Sequence, residues 1–286
     1  MTAPRKPPKV WLLPALTEPI VTVIQRNSRK EHHILKWNTE RGSLEHGSWF
    51  RGAFYPEDCD VSEDGRWLAV LAGGHQAEKF GWSFADKDDF MWVAGVAESP
   101  WLSTVIEWSG FSLGLSTPWV ALCGDRVLLN DNKSGYYENR YRNDCAHRFA
   151  DIVSVDDHSE NQILEEEKYP LWYLKLPLLQ SWLHINPCVD AFPVTVLRGA
   201  PGMPDVRITT DRKTWHHSYE VTGWESSEEH LCAVYDCLGQ LLVARNGGIE
   251  LWNAESMRKM KPVYRVDLMP FETGTRGMHA IAELEE

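Results

Sequence analysis

Short apolar runs separated by clusters of Asp, Gly and Asn recur along most of this chain. In residues 59–74 and 235–248 an Asp precedes a turn, a Gly lies inside it, and the apolar run that follows ends at a Gly-Gly pair. Residues 122–129 form a weaker copy of the same pattern. Asp and Gly are the residues that tight turns between antiparallel strands favour. We expect the carboxylates of Asp60 and Asp236 to accept backbone N–H groups in or near their hairpins. The pattern therefore predicts repeated β-hairpins.

The spacing of the turn glycines predicts the architecture. Gly65 and Gly124 are 59 residues apart, and Gly124 and Gly239 are 115 apart, so the second interval is close to twice the first. A degenerate copy is therefore expected near residue 180. A period of about 57 residues corresponds to about five units in the chain, which lies within the range of β-propeller blade numbers. We predict an all-β, β-propeller-like fold of about five blades in a single domain.

Prolines and β-branched runs predict the remaining organisation. Residues 1–19 are punctuated by Pro and are expected to be an extended N-terminal lead-in, followed by a single propeller-like domain over residues 20–286. Residues 171–183 fit either a short amphipathic helix or a strand pair interrupted by Pro177. Because a propeller must close its ring, we expect residues 20–24 to pair with the last blade. Strands are predicted at residues 20–24, 34–38, 90–96, 104–108, 206–210, 218–222, 249–253 and 263–268.

Tryptophan and cysteine content refine the expected core. The chain is 43% hydrophobic and has 14 Trp and 6 Cys. Because Trp67, Trp92, Trp108 and Trp252 lie within apolar runs, we expect them to be buried between neighbouring sheets. The scattered cysteines favour buried free thiols over disulfides. No CxxC, HxH or HxxxH spacing occurs, so neither a metal nor another cofactor is predicted.

The acidic charge restricts the kind of partner. The formal net charge is −12 and the pI is near 5.4, which argues against a nucleic-acid partner and favours association with a basic protein. The sequence has no apolar stretch of membrane-spanning length and no hydrophobic signal segment at residues 1–9. A soluble, cytoplasmic protein without a membrane partner is therefore expected. The sequence does not predict an oligomeric state.

One part of the chain resembles a known family. HGSWFRG at residues 46–52, CDVSEDGR at residues 59–66, Trp92, and PWL at residues 100–102 resemble the shared stretch of a family of uncharacterised bacterial proteins with propeller-like, WD40-like repeats. The resemblance covers residues 46–108 and implies a bacterial origin and a propeller-like fold, without an activity or a catalytic residue. Residues 93–97 are apolar here, where the family commonly has a polar run.

No catalytic motif emerges from the residues themselves. The adjacent histidine pairs at residues 32–33 and 216–217 point to opposite faces of a strand, the context of Ser48 lacks a GxSxG elbow, and the Gly-Gly pairs lack a phosphate-loop pattern. One enzymatic alternative stays open, namely a hydrolase or lyase that acts at the central channel of the propeller. Its site would draw on His46, His75, His147, Asp60 and Asp236.

A polar stretch at residues 130–148 is the predicted partner-binding segment. It is too polar for a core strand and longer than most loops, so we expect it to leave the propeller body, either as a binding loop or as a solvated one. Tyr136, Tyr137, Arg140 and Tyr141 have the Tyr and Arg enrichment of protein interfaces. We predict a non-enzymatic protein-binding scaffold, and in its sharper form an immunity protein that neutralises a toxin with its acidic face.

Overall fold

A computed structural model of the chain consists of β-strands in mainly antiparallel sheets, with one short α-helix and one 3-10 turn in the residues that it describes. Within those residues, twenty strands form five sheets, here numbered first to fifth along the chain. The predicted all-β class is therefore confirmed. The described residues are 7–28, 30–73, 92–102, 104–110, 120–123, 126–130, 138–141, 152–155, 194–210, 217–224, 232–245 and 247–268.

The first and fifth sheets are four-stranded antiparallel meanders in which each strand pairs with the next one in sequence. The strands of the first sheet are β1 (Lys9–Pro14), β2 (Ile20–Ser28), β3 (Glu31–Asn38) and β4 (Ser43–Arg51). The fifth sheet, with helix α1 (Ala254–Lys259) between its last two strands, contains β17 (Cys232–Tyr235), β18 (Leu241–Arg245), β19 (Gly248–Trp252) and β20 (Tyr264–Asp267).

The other three sheets are also meanders for most of their length, and the one parallel pairing among the described strands joins β11 to β13. The second sheet, which includes the 3-10 turn Pro56–Asp58, contains β5 (Ala53–Phe54), β6 (Asp60–Val61), β7 (Trp67–Gly73), β8 (Trp92–Glu98), β9 (Thr104–Gly110) and β12 (Glu138–Tyr141). The third contains β10 (Val120–Cys123), β11 (Arg126–Asn130) and β13 (Ile152–Val155), and the fourth contains β14 (Val194–Leu197), β15 (Val206–Thr210) and β16 (His217–Val221).

The first sheet is buried on both faces. Successive residues of a strand point to opposite sides, and here Val23 and Leu35 pack against the fifth sheet while Ile24 and Ile34 pack against the second. All four side chains are 0% exposed. Full burial of an aliphatic side chain stabilises a fold by about 1.5–3 kcal/mol. This two-sided burial explains why β2 and β3 are apolar at consecutive positions.

The fifth sheet is packed in the same way. Leu242 and Ile249 contact the first sheet, whereas Leu241, Val243 and Trp252 contact the fourth. On the other side of the first sheet, β10 of the third sheet contacts β6 and β7 of the second. The sheets therefore pack face to face in the order fourth, fifth, first, second, third.

The structure corrects the expected role of residues 20–24. They belong to β2, which pairs with β1 and β3 rather than with the last sheet. A central strand uses both of its hydrogen-bonding edges on its neighbours, so the first and fifth sheets meet through side chains instead. Within the expected N-terminal lead-in, Lys9–Pro14 forms the edge strand β1. Pro14 is tolerated at the end of an edge strand, where its missing N–H removes no necessary hydrogen bond.

The polar stretch at residues 130–148 contains a strand that the sequence did not predict. Glu138–Tyr141 pairs with β9 and forms an edge of the second sheet. The expectation that this stretch leaves the body is therefore wrong for Glu138–Tyr141, because backbone pairing at a sheet edge does not require an apolar pattern. The degenerate repeat expected near residue 180 and the segment at residues 171–183 lie outside the described residues.

The predicted core residues are recovered in part. Trp252 is 4% exposed, as predicted. Trp67 is only half-buried, with the guanidinium of Arg66 over its ring, and the side chains of Trp92 and Trp108 lie outside what the structure describes. The expected free thiols are found at the three described positions, with Cys59 and Cys232 buried and Cys237 exposed.

Candidate functional site

Several connections between strands lie at one end of the sheets, here named the loop end. Hydrogen bonds tie neighbouring sheets together there, since the backbone carbonyl of Glu63 in the second sheet accepts from the N–H groups of Leu16 at 2.8 Å and Thr17 at 2.9 Å in the first. The fixed backbone gives the exposed side chains of these connections defined positions. The loop end comprises residues 15–19, 39–42, 62–66, 236–240 and 253–263.

Asp236 begins the hairpin turn of the fifth sheet and is 7% exposed. Its Oδ1 accepts hydrogen bonds from the backbone N–H groups of Leu238 at 3.0 Å and Gln240 at 2.8 Å, as Asp does in local turns. Its Oδ2 accepts from the hydroxyl of Thr39, in the turn after β3, at 2.8 Å. The predicted turn role of Asp236 is confirmed, and the same carboxylate also joins the fifth sheet to the first.

The equivalent turn of the second sheet uses a serine. Gly65 and Gly239 have positive φ angles of 70° and 71°, a conformation that glycine adopts without strain, so they occupy the same place in the two turns. Ser62 and Asp236 each stand three residues before that glycine. The Ser62 hydroxyl accepts the backbone N–H of Trp67 at 2.8 Å. Ser62 is therefore the structural counterpart of Asp236.

Asp60, which the sequence pattern aligned with Asp236, connects two sheets. It is 3% exposed, and it accepts the backbone N–H of Val61 through Oδ1 and that of Leu122 through Oδ2, both at 2.6 Å. Leu122 lies on β10, so this carboxylate joins the second sheet to the third. Short hydrogen bonds to an ionised acceptor are among the stronger ones in proteins. Asp60 accepts backbone N–H groups as predicted, but it does not close its own turn.

Acidic side chains surround the Asp236 turn. Glu18 and Glu40 are exposed on the two neighbouring connections of the first sheet. Burial, followed by the negative charges of Asp236, Glu18 and Glu40, raises the pKa of the Cys237 thiol. Asp64 is exposed on the adjoining turn of the second sheet. The same connections contain two exposed arginines, so the four acids outnumber the bases by two; the acids are Glu18, Glu40, Glu63 and Asp64, and the bases are Arg41 and Arg66. The loop end of the first two sheets therefore presents a negative potential to solvent.

A histidine cluster lies in the first sheet. His32 and His33 are each 1% exposed. Burial, followed by the positive charge of Arg26, lowers the pKa of His32 to about 4. Burial, followed by the neighbouring His46, lowers the pKa of His33 to about 3. Both imidazoles are therefore neutral at pH 7.

These histidines pack as aromatic rings. The ring centroids of His33 and Trp49 are 4.0 Å apart, those of His33 and His46 are 5.2 Å apart, and those of His32 and Phe54 are 5.3 Å apart. Among the described residues there is no group of three or more His, Cys, Asp and Glu side chains that could hold a metal ion. The cluster contributes aromatic packing within the first sheet and against the second.

A buried carboxylate organises the outer strands of the fifth sheet. Glu250 is 1% exposed and forms ion pairs with Arg245 at 3.0 Å and Arg265 at 3.1 Å. It also accepts the indole N–H of Trp252 at 3.0 Å. The Arg245 guanidinium lies over the ring of Trp224 at 5.1 Å. Such a fully partnered charge holds β18, β19 and β20 together.

The predicted site residues are placed only in part. Arg140 and Tyr141 lie on the edge strand β12, whereas Tyr136 and Tyr137 lie outside the described residues, so the binding role of all four stays a prediction. Sequence reasoning missed three polar residues that join strands or sheets. Ser62 could have been found from its place three residues before a turn glycine. No local signal points to the other two, Thr39 and Glu250.

The enzymatic alternative loses two of its candidate groups to structural hydrogen bonds. Asp60 and Asp236 are both occupied as described above. His46 is exposed on β4, and His75 and His147 lie outside the described residues. The two described carboxylates proposed for the enzymatic site therefore form hydrogen bonds that stabilise a turn and the contacts between sheets.

A scan against models of known protein families found no match, and a search of the curated proteins found none either. None of the helices in the part of the chain that the structure describes is long and apolar enough to cross a membrane. The loop end is the candidate functional site, because its described residues have a hydrogen-bonded backbone, charged side chains and exposed apolar side chains.

Proposed function

We propose that this chain is a propeller-like ring of about five sheets that binds another protein. The observation that carries the ring is the packing of the fifth sheet on the first, reinforced by the 2.8 Å hydrogen bond from Thr39 to Asp236. A stack that followed the order of the chain would put the first and last sheets at opposite ends, whereas here they are neighbours. A contact between the third and fourth sheets would complete the proposed ring. Asp60 makes a similar connection between the second and third sheets.

A binding role is supported by how the polar groups are used. Asp60, Asp236 and Glu250 are each 7% exposed or less and hold backbone groups, a hydroxyl or arginines. The oxygens of these carboxylates are thus occupied by groups of the protein itself. The charges that remain exposed at the loop end include Glu18 and Glu40. Exposed connections on a rigid scaffold are where binding residues are usually found.

The partner that fits this surface best is a basic protein. The net charge of −12 and the acidic side chains at the loop end of the first two sheets would steer a basic partner and raise its association rate. In the sharper form of the proposal, the chain is a bacterial immunity protein that neutralises a toxin. Tyr136, Tyr137, Arg140 and Tyr141 are proposed to add further contacts.

Co-expression with the products of neighbouring genes tests the binding function. A partner toxin should stop growth alone, and co-expression of this chain should restore growth and yield a complex that survives gel filtration. Glu40→Lys should slow association about tenfold at low salt and much less at high salt. Glu45→Lys, at an exposed position on β4, is the charge-matched control and should have little effect. Absence of both rescue and complex would contradict the proposal.

Small-angle scattering tests the ring separately. A compact chain of 286 residues should have a radius of gyration of about 19 Å. An open stack of five sheets would give a larger value and an elongated distance distribution. That result would contradict the ring without bearing on whether the chain binds a partner.

A further inference from the structure

Exposed apolar side chains lie at the loop end of the fifth sheet. Met260 is 76% exposed, and Leu238 and Val263 are each 54% exposed. Leu238 lies in the turn between β17 and β18, and the other two lie in the connection between β19 and β20. Because Leu241 pairs with Trp252, both connections leave the sheet at the same end. Large apolar groups gathered on an exposed surface are typical of interaction sites.

The backbone conformation of Met260 fixes the position of its exposed side chain. Met260 ends helix α1 with φ 52° and ψ 36°, in the left-handed region where glycine is the usual residue. A side chain in this region costs roughly 1–2 kcal/mol relative to the right-handed one. Backbone hydrogen bonds of the helix end offset this cost, since the N–H groups of Met260 and Lys261 donate to the carbonyls of Met257 and Ser256, both at 3.1 Å. The helix end therefore holds an exposed apolar side chain in a fixed position.

The segment that presents Met260 is firmly anchored. Asn253 and Ser256 form a reciprocal capping box, with both hydrogen bonds at 2.8 Å. Met257 packs against the core between the fourth and fifth sheets. On the other side of the patch, Leu238 is held by its N–H bond to Asp236. A surface fixed before binding loses little conformational entropy when a partner docks.

The same segment is basic in an acidic protein. Residues 254–263 contain Arg258, Lys259 and Lys261 but only one acid, Glu255, which gives a local charge of +2 in a chain of −12. Glu255 pairs with Lys259, and Arg258 and Lys261 are exposed. At physiological salt a partner segment is affected mainly by charges within about 8 Å. A short acidic segment docked on residues 258–263 would therefore meet a positive potential, whereas Leu238 lies in the Asp236 turn, at the acidic border of the patch.

We infer that this basic-apolar patch docks an acidic segment of a partner protein that carries apolar side chains. The inference rests on the proposed binding function. It adds a second contact to the one proposed between the first two sheets and a basic surface of the partner. A phospholipid surface fits less well, because a flat anionic membrane on the loop end would also meet Glu18 and Glu40. The patch consists of Leu238, Arg258, Met260, Lys261 and Val263.

Selection of a random peptide display library on the full chain tests the inference. The enriched peptides should combine Asp or Glu with Leu, Phe or Trp, and a synthetic peptide of the enriched sequence should bind more weakly at high salt. Met260→Gly should weaken that binding about tenfold while keeping or raising the melting temperature, because glycine suits the left-handed conformation. Lys261→Glu should weaken it about fivefold.

The matched control is Lys30→Glu, in the exposed turn between β2 and β3 at the other end of the first sheet, and it should leave peptide binding unchanged. The inference is overturned if no peptide is enriched, if enriched peptides lack acids, or if both patch variants bind as the wild type does. It is also overturned if phosphatidylserine vesicles bind the patch and peptides do not. A toxin complex that is unaffected by Met260→Gly would leave the proposed function intact and contradict only this patch.

Discussion

The hydrogen bond between Thr39 and Asp236 can be isolated by removing its two partners singly and together. Thr39→Val removes the donor hydroxyl with little change in shape, and Asp236→Ala removes the acceptor carboxylate. The two residues are 3% and 7% exposed, so water does not readily replace the lost partner. Because this bond joins the fifth sheet to the first, its strength measures how far the two sheets depend on each other.

The expected magnitudes follow from the bonds that each change removes. A hydrogen bond to a charged group contributes about 1.5–3 kcal/mol. The lower end applies here because the Thr39 hydroxyl is shared with the carbonyl of Pro19 at 3.3 Å, and Oδ2 of Asp236 also accepts from Nε2 of Gln240 at 3.3 Å. Thr39→Val should therefore lower the free energy of unfolding by about 1.5 kcal/mol. Asp236→Ala also loses two backbone turn bonds and the bond from the Gln240 side chain, and it should cost about 3 kcal/mol. The double variant should cost about 3 kcal/mol as well, which corresponds to a coupling energy of about 1.5 kcal/mol.

Urea unfolding of the four proteins measures this coupling. A melting temperature is less sensitive, since it shifts by roughly 2 °C per kcal/mol for a chain of this size. The control cycle combines Asp236→Ala with Ser256→Ala, whose hydroxyl bonds only within the Asn253 cap as far as the structure describes it, and these effects should add. A coupling below about 0.5 kcal/mol between Thr39 and Asp236 would refute the idea that this bond joins the two sheets.

Three further predictions concern buried polar and aromatic groups. The pKa values of His32 and His33 are about 4 and about 3 in the folded chain, against 6.5 ordinarily, so just below pH 6.5 only the unfolded chain binds protons at these residues. As the pH falls, each histidine should therefore lower the free energy of unfolding by about 1.4 kcal/mol per pH unit until its folded pKa is reached. Urea midpoints that stay flat down to about pH 4.5 would contradict this. Trp252→Ala should cost about 3–5 kcal/mol in urea unfolding, and a cost under about 1 kcal/mol would show that the ring is not a core residue. Glu250→Gln should cost about 2 kcal/mol, because it removes the buried charge that pairs with two arginines, whose side chains are themselves 27% and 51% exposed. The control Asp267→Asn, at an exposed ion pair, should cost at most about 0.5 kcal/mol, and equal costs would contradict the role assigned to Glu250.

The predictable features are those with local determinants. Gly65 and Gly239 identify their turns because each requires a backbone conformation that glycine adopts freely. Asp236 could be assigned to its turn because it accepts N–H groups two and four residues ahead. Asp60 was aligned with it from the same kind of pattern, yet it bonds to Leu122, which is 62 residues away. An Asp before an apolar run has the same local appearance in both roles.

The amino-acid sequence by itself determined the all-β class, the hairpins and the acidic character of this protein, because strand periodicity, turn conformation and net charge depend on residues that are close together or simply counted. The tertiary structure alone decided which sheets pack against each other. It placed Thr39 against Asp236 across 197 residues of chain, and it put an exposed Met260 beside basic residues at one end of the fifth sheet. Contacts of this kind depend on how whole sheets pack face to face, and the side-chain pattern of a single strand does not encode its partner sheet.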